Sequence, residues 1–105
     1  MSELKRRAMA LYDVLAGCRT WQEFADAGWT HGPGAHCERY WVGRGRCEGC
    51  PVAAFTGLAK CHGSPWGAMA AAIERLYPAE VISEPLPEVL AMREFLGGLD
   101  WSGQP

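Results

Sequence analysis

Four cysteines, Cys37, Cys47, Cys50 and Cys61, fall within one glycine-rich window, and the middle pair belongs to the step Cys47-Glu48-Gly49-Cys50-Pro51. Two thiolates separated by two residues reach one ion only where the chain turns tightly, which Gly49 allows, while Pro51 keeps a helix or central strand from absorbing the turn. Nine residues separate Cys37 from this pair and ten separate the pair from Cys61, so all four sulfurs are near enough in sequence to complete a cage. The chemistry expected is a closed, tetrahedral, structural zinc site. His36 and His62 each adjoin a candidate ligand, and either is an alternative donor to its neighbour. An iron-sulfur cluster is the other cofactor to weigh, because a Cys-Pro step follows the pair. The spacing is not one of the ferredoxin patterns, and zinc is preferred.

Catalysis is not expected. Cys61-His62 are sequence neighbours that rarely form a nucleophile and base, and a metal-bound thiolate is unavailable for attack. The carboxylates are dispersed, with no phosphate-binding glycine loop and no His-Glu helix motif. Cys18 reads as a buried thiol between two helices, and His31 as a loop residue.

The elements that must position these cysteines are helical. Leu4, Ala8, Leu11, Tyr12 and Leu15 recur at helical spacing, with Gly17 placed as a left-handed stop. Thr20 and Glu23 form a capping box for a short helix carrying Trp21 and Phe24, ended by Gly28. From Trp29 to Gly63 glycine, proline, cysteine and histidine accumulate, and only Tyr40-Trp41-Val42 and Ala53-Ala54-Phe55 suggest short extended or turn-like pieces. Ser64-Pro65 reads as N-cap and first residue of a helix through Trp66, Met69, Ala70, Ile73 and Tyr77 to Pro78. A last helix runs from about Pro87 to Leu96, using Leu90, Phe95 and Leu96.

The expected fold is mainly α: one small domain over 1-105, with a helical part at 1-28, a metal-binding window at 29-64 and a helical part at 65-105. A chain of 105 residues, 49% hydrophobic and 21% charged, fits a single domain with a packed core. At that size the surface-to-volume ratio limits the core, and metal binding adds folding free energy. No stretch approaches the roughly 18 apolar residues that span a bilayer, and Met1 to Arg7 leads into an amphipathic helix rather than an apolar signal segment. A soluble protein of the cytoplasm is expected, where five cysteines serve as ligands plus one thiol rather than as disulfides.

In that window, Cys37-Glu38-Arg39-Tyr40, Cys47-Glu48-Gly49-Cys50-Pro51-Val52, Thr56-Gly57 and Cys61-His62-Gly63-Ser64-Pro65-Trp66 follow in order. This succession resembles a motif of small bacteriophage and prophage proteins, C-x-x-Y, C-x-x-C-P-hydrophobic, T-G and C-x-G-[ST]-P-aromatic. It covers residues 37 to 66 and departs from the pattern in its lone Cys37, where many such proteins have a second cysteine nearby. The resemblance implies a mobile-element context, hence the cytoplasm of a host cell, and no particular activity.

Charge separates two noncatalytic readings. The net charge is −2, but residues 31 to 64 carry Arg39, Arg44, Arg46 and Lys60 against Glu38 and Glu48. Residues 74 to 105 carry Glu74, Glu80, Glu84, Glu88, Glu94 and Asp100 against Arg75 and Arg93. The preferred expectation is an adaptor or inhibitor of a host protein complex, such as an anti-CRISPR or other anti-defence protein, with Glu84, Glu88 and Trp101 at the partner surface. The alternative is a nucleic-acid-binding zinc module or transcriptional accessory protein using Arg39, Arg44, Arg46 and Lys60. Overall acidity and the lack of a groove-reading helix favour the first.

Overall fold

The computed structural model describes residues 2–29, 50–56 and 63–103. Helix α1, Glu3–Gly17, opens at Ser2, whose Oγ accepts from the Lys5 amide at 3.2 Å, with Glu3 favourably placed in the first turn. Leu4, Ala8, Tyr12 and Leu15 fall every three or four residues and are buried on one face. Gly17 does not end the helix in a left-handed conformation. It is the last helical residue, and the chain leaves through Cys18 in extended geometry, φ −76° and ψ 143°.

Helix α2, Trp21–Ala27, is capped at both ends by local chemistry. Thr20 Oγ1 accepts from the Glu23 amide at 3.2 Å, and Glu23 Oε1 accepts in return from the Arg19 amide at 2.7 Å, one residue before the cap. Gly28 closes it at φ +88°, a conformation that glycine adopts without a Cβ penalty. Phe24 is fully buried.

Helix α3, Pro51–Thr56, contradicts the extended or turn-like expectation for Ala53-Ala54-Phe55. Proline at the first helical position lacks an amide that would have had no helical partner, so Pro51 opens a helix here. Cys50 O accepts the Ala54 amide at 2.9 Å, and Thr56 Oγ1 donates to Val52 O at 3.0 Å. Helix α4, Trp66–Glu74, begins one residue later than expected: Ser64 Oγ accepts the Trp66 amide at 3.3 Å while Pro65 O accepts Met69. It also ends before Tyr77, which is exposed on the turn that follows. Helix α5, Pro87–Gly97, buries Val89, Met92 and Leu96, leaving Leu90 exposed and Phe95 only partly covered.

Helix α1 packs most extensively on α5, α4 on α5, and α2 bridges α1 and α4. Their buried faces, with Val52 of α3, form one cluster that includes Tyr12, Leu15, Phe24, Met69, Ile73, Met92 and Leu96. The fold is mainly α, and among the described residues there is no strand and no helix long and apolar enough to cross a membrane.

Candidate metal centre

Of the four candidate thiolate ligands, Cys50 lies in the described structure, and Cys37, Cys47 and Cys61 lie outside the described residues, as do His31, His36 and His62. Arg39, Arg44, Arg46 and Lys60, the candidate nucleic-acid contacts, also lie outside them. Cys50 is only 3% exposed and belongs to the same buried cluster as Trp29, Val52 and Met69. Its placement follows from local structure: α3 starts at the next residue, and Val52 anchors that helix in the core. A buried sulfur at the step into a helix, shielded from water by apolar neighbours, is the setting of a core cysteine and is also compatible with a structural metal ligand. Among the described residues no group of three His, Cys, Asp or Glu side chains gathers, and Cys50 is the one candidate ligand described.

Two indoles of the core flank the undescribed residues on either side of Cys50 in sequence. Trp29, 4% exposed, immediately precedes residues 30–49, and the half-buried Trp66 opens α4 shortly after residues 57–62. The Nε1 atoms of Trp29 and Trp66 are buried with no acceptor among the described residues, as is that of Trp21. Buried donors are ordinarily paired, so these positions call for acceptors. These buried donors were not legible from the sequence.

The fifth cysteine is set differently. Cys18 follows the last residue of α1, is buried between α1 and α2, and donates its Sγ–H to Val14 O at 3.4 Å. Burial pushes its thiol above the ordinary range, the nearby Glu23 carboxylate adds to that, and Arg19 opposes it. It is a neutral packing thiol, with the sulfur chemistry of a core residue.

The expected partner surface divides. Glu84 is exposed and Glu88 half-buried at the start of α5. Trp101 is not a surface anchor: it is 7% exposed, and its Nε1 donates to Leu96 O at 2.8 Å, closing the C-terminal end of α5. A tryptophan near a chain end with glycines around it reads equally well as an exposed anchor or a folded-back plug. Here the orphan carbonyl of the helix end decides for the plug. Asp100 beside it has its carboxyl held below the ordinary range by hydrogen bonds from the Ser102 side chain and amide. No protein-family model, curated protein or solved structure matches the chain.

Proposed function

We propose that the protein is a noncatalytic, zinc-stabilised interaction protein of a phage or other mobile element, which acts as an adaptor or inhibitor on a host protein complex. The observation that carries the metal half of this reading is Cys50, a cysteine of the four-thiolate pattern, buried at the head of a helix whose next side chains are core. Four thiolates leave no coordination position for substrate, so zinc held by Cys37, Cys47, Cys50 and Cys61 would supply folding free energy rather than chemistry. Zinc held there would cross-link the cysteine window to the helices.

The partner half rests on charge. The C-terminal third presents exposed carboxylates at Glu74, Glu80, Glu84 and Glu94, which favour a basic protein surface over phosphate. Inhibition of a defence complex, an anti-CRISPR role included, is one form this interaction takes in a mobile-element setting.

Purified protein should contain about one zinc per chain and no visible iron-sulfur absorption. Stoichiometric iron and sulfide would replace zinc by a cluster. Capture from a bacterial host, with and without nuclease, addresses the partner: a protein complex that survives nuclease supports the reading. Recovery only through nucleic acid, with steep salt dependence, would transfer the function to Arg39, Arg44, Arg46 and Lys60.

A further inference from the structure

The turn between α4 and α5 carries exposed apolar side chains that local packing does not cover. Tyr77 is 62% exposed and Val81 69% exposed. The turn is nevertheless held at both ends. The Tyr77 ring meets the half-buried Trp21 edge to face, with centroids 5.0 Å apart and planes at 79°. The Ile82 amide donates to Arg19 O at 3.0 Å, and within the turn Glu80 N donates to Leu76 O at 3.0 Å. Ile82 and Leu86, just beyond, are partly buried against the core. Exposed apolar groups on a braced turn need little ordering when a partner arrives.

Charge around this turn is one-sided. Residues 74 to 88 carry Glu74, Glu80, Glu84 and Glu88 against Arg75 alone, and Glu23 lies two residues from Trp21 on α2. Arg19, whose carbonyl the Ile82 amide meets, is engaged by its own chain: its Nη1 donates to Ala16 O and Cys18 O at 2.9 and 3.1 Å. A phosphate backbone would be repelled by these carboxylates. A second copy meeting the same face about a twofold axis would set like charges opposite one another.

We propose that Tyr77 and Val81, backed by Trp21, are the apolar anchor of a docking surface for a basic protein segment, with Glu80 and Glu84 forming its acidic rim. The proposal rests on the protein-partner reading above and gives it the anchor that Trp101 does not supply. Aromatic anchors surrounded by charge carry affinity at the centre and association rate at the rim. The occupant is a polypeptide with an apolar side chain between lysines or arginines.

The test uses the full chain in bacterial cells with the photocrosslinker p-benzoylphenylalanine in place of Tyr77, and in separate variants in place of Val14 on α1 and Phe55 on α3, followed by mass-spectrometric mapping. The expected crosslink from position 77 falls in a basic segment of another protein. Tyr77→Ser and Val81→Ser should each weaken the recovered partner about tenfold or more. Glu80→Lys with Glu84→Lys should slow association in a salt-sensitive way, and far-UV circular dichroism and zinc content should stay unchanged. Crosslinks from 77 to a second copy, to nucleic acid or to an acidic segment would overturn the proposal, as would unchanged affinity in Tyr77→Ser. A host protein crosslinked from 55 or 14 but not from 77 would place the interface elsewhere and leave the protein-partner reading standing. Absence of any protein crosslink from all three positions would remove both.

Discussion

Cys18 and Cys50 are both buried, at 6% and 3% exposure, but the chain around each is built in a different way. At Cys18 everything nearby is specified locally: an amphipathic α1 ends, Thr20 and Glu23 cap α2, and the thiol fills the junction with a hydrogen bond to Val14 O. At Cys50 the local elements are short. Helix α3 has six residues, well below the length at which a helix holds itself in water, and the Nε1 atoms of Trp29 and Trp66 are buried with no acceptor among the described residues. Helix packing holds the side of Cys18, and on the zinc reading proposed above Cys50 would tie the other. On that reading the two cysteines report on two sources of stability.

The largest effect should come from removing one sulfur of each kind. Cys50→Ser is expected to cost ~3 kcal/mol or more and to release zinc, because loss of a ligand forfeits binding free energy that is also folding free energy. Cys18→Ser should cost only about 1 kcal/mol, since a hydroxyl of similar size can keep the bond to Val14 O. Thermal melts with metal analysis decide it. Equal losses in the two variants, or full zinc retention in Cys50→Ser, would break the distinction.

Next in size are truncations on the helix-packed side. Leu96 is fully buried on α5, so Leu96→Ala should cost about 2–5 kcal/mol by transfer and cavity terms. Leu90, on the same helix and 41% exposed, should lose well under ~1 kcal/mol as Leu90→Ala. Chemical denaturation of the two variants measures the contrast. Similar midpoints would mean that α5 does not seat on α1 by the Val89, Met92 and Leu96 face.

That contrast also marks how far the sequence carried. Helix positions and most of the buried face of α1 were readable, because Leu4, Ala8, Tyr12 and Leu15 repeat with the helical period and Thr20 and Gly28 carry their own cap chemistry. For α5 the period allowed two neighbouring faces, one through Leu90 and one through Val89, and only packing against α1 and α4 chose the second. Helix α3 was read as turn-like because a proline beside glycine and cysteine suggested a break, whereas proline at a first helical position is compatible with a start. Trp101 was misplaced for a related reason: whether an indole near the end of a chain faces solvent depends on a carbonyl, here that of Leu96, which no pattern in the sequence announces. The candidate metal ligands were proposed from spacing alone, and of them Cys50 lies among the described residues.

A smaller effect concerns Cys18 and pH. The Cys18 thiol is raised above its ordinary value of about 9, chiefly by burial, with Glu23 adding to the shift. A raised folded-state value means that its contribution to stability is complete below the unfolded thiol's value and is lost as pH climbs toward the folded one. In protein carrying Cys18→Ser, the decline of stability above about pH 9 should be shallower than in the parent, read as denaturation midpoints across that range. An identical slope in both would show that Cys18 does not ionise differently in the two states.

The smallest effect should be at the charged rim of the α1–α5 seam, where Arg93 Nη2 meets Asp13 Oδ1 at 2.5 Å. Both side chains are about half exposed, so water and salt screen the pair, and holding two flexible groups in register offsets much of the Coulomb gain. A double-mutant cycle with Asp13→Ala and Arg93→Ala should give a coupling below about 1 kcal/mol that shrinks further in high salt. The seam then depends on its buried face, with Leu15, Met92 and Leu96 carrying the contact and the ion pair only decorating its edge. A coupling of several kcal/mol, insensitive to salt, would reverse that order and make the helix-packed side of the molecule an electrostatic assembly after all.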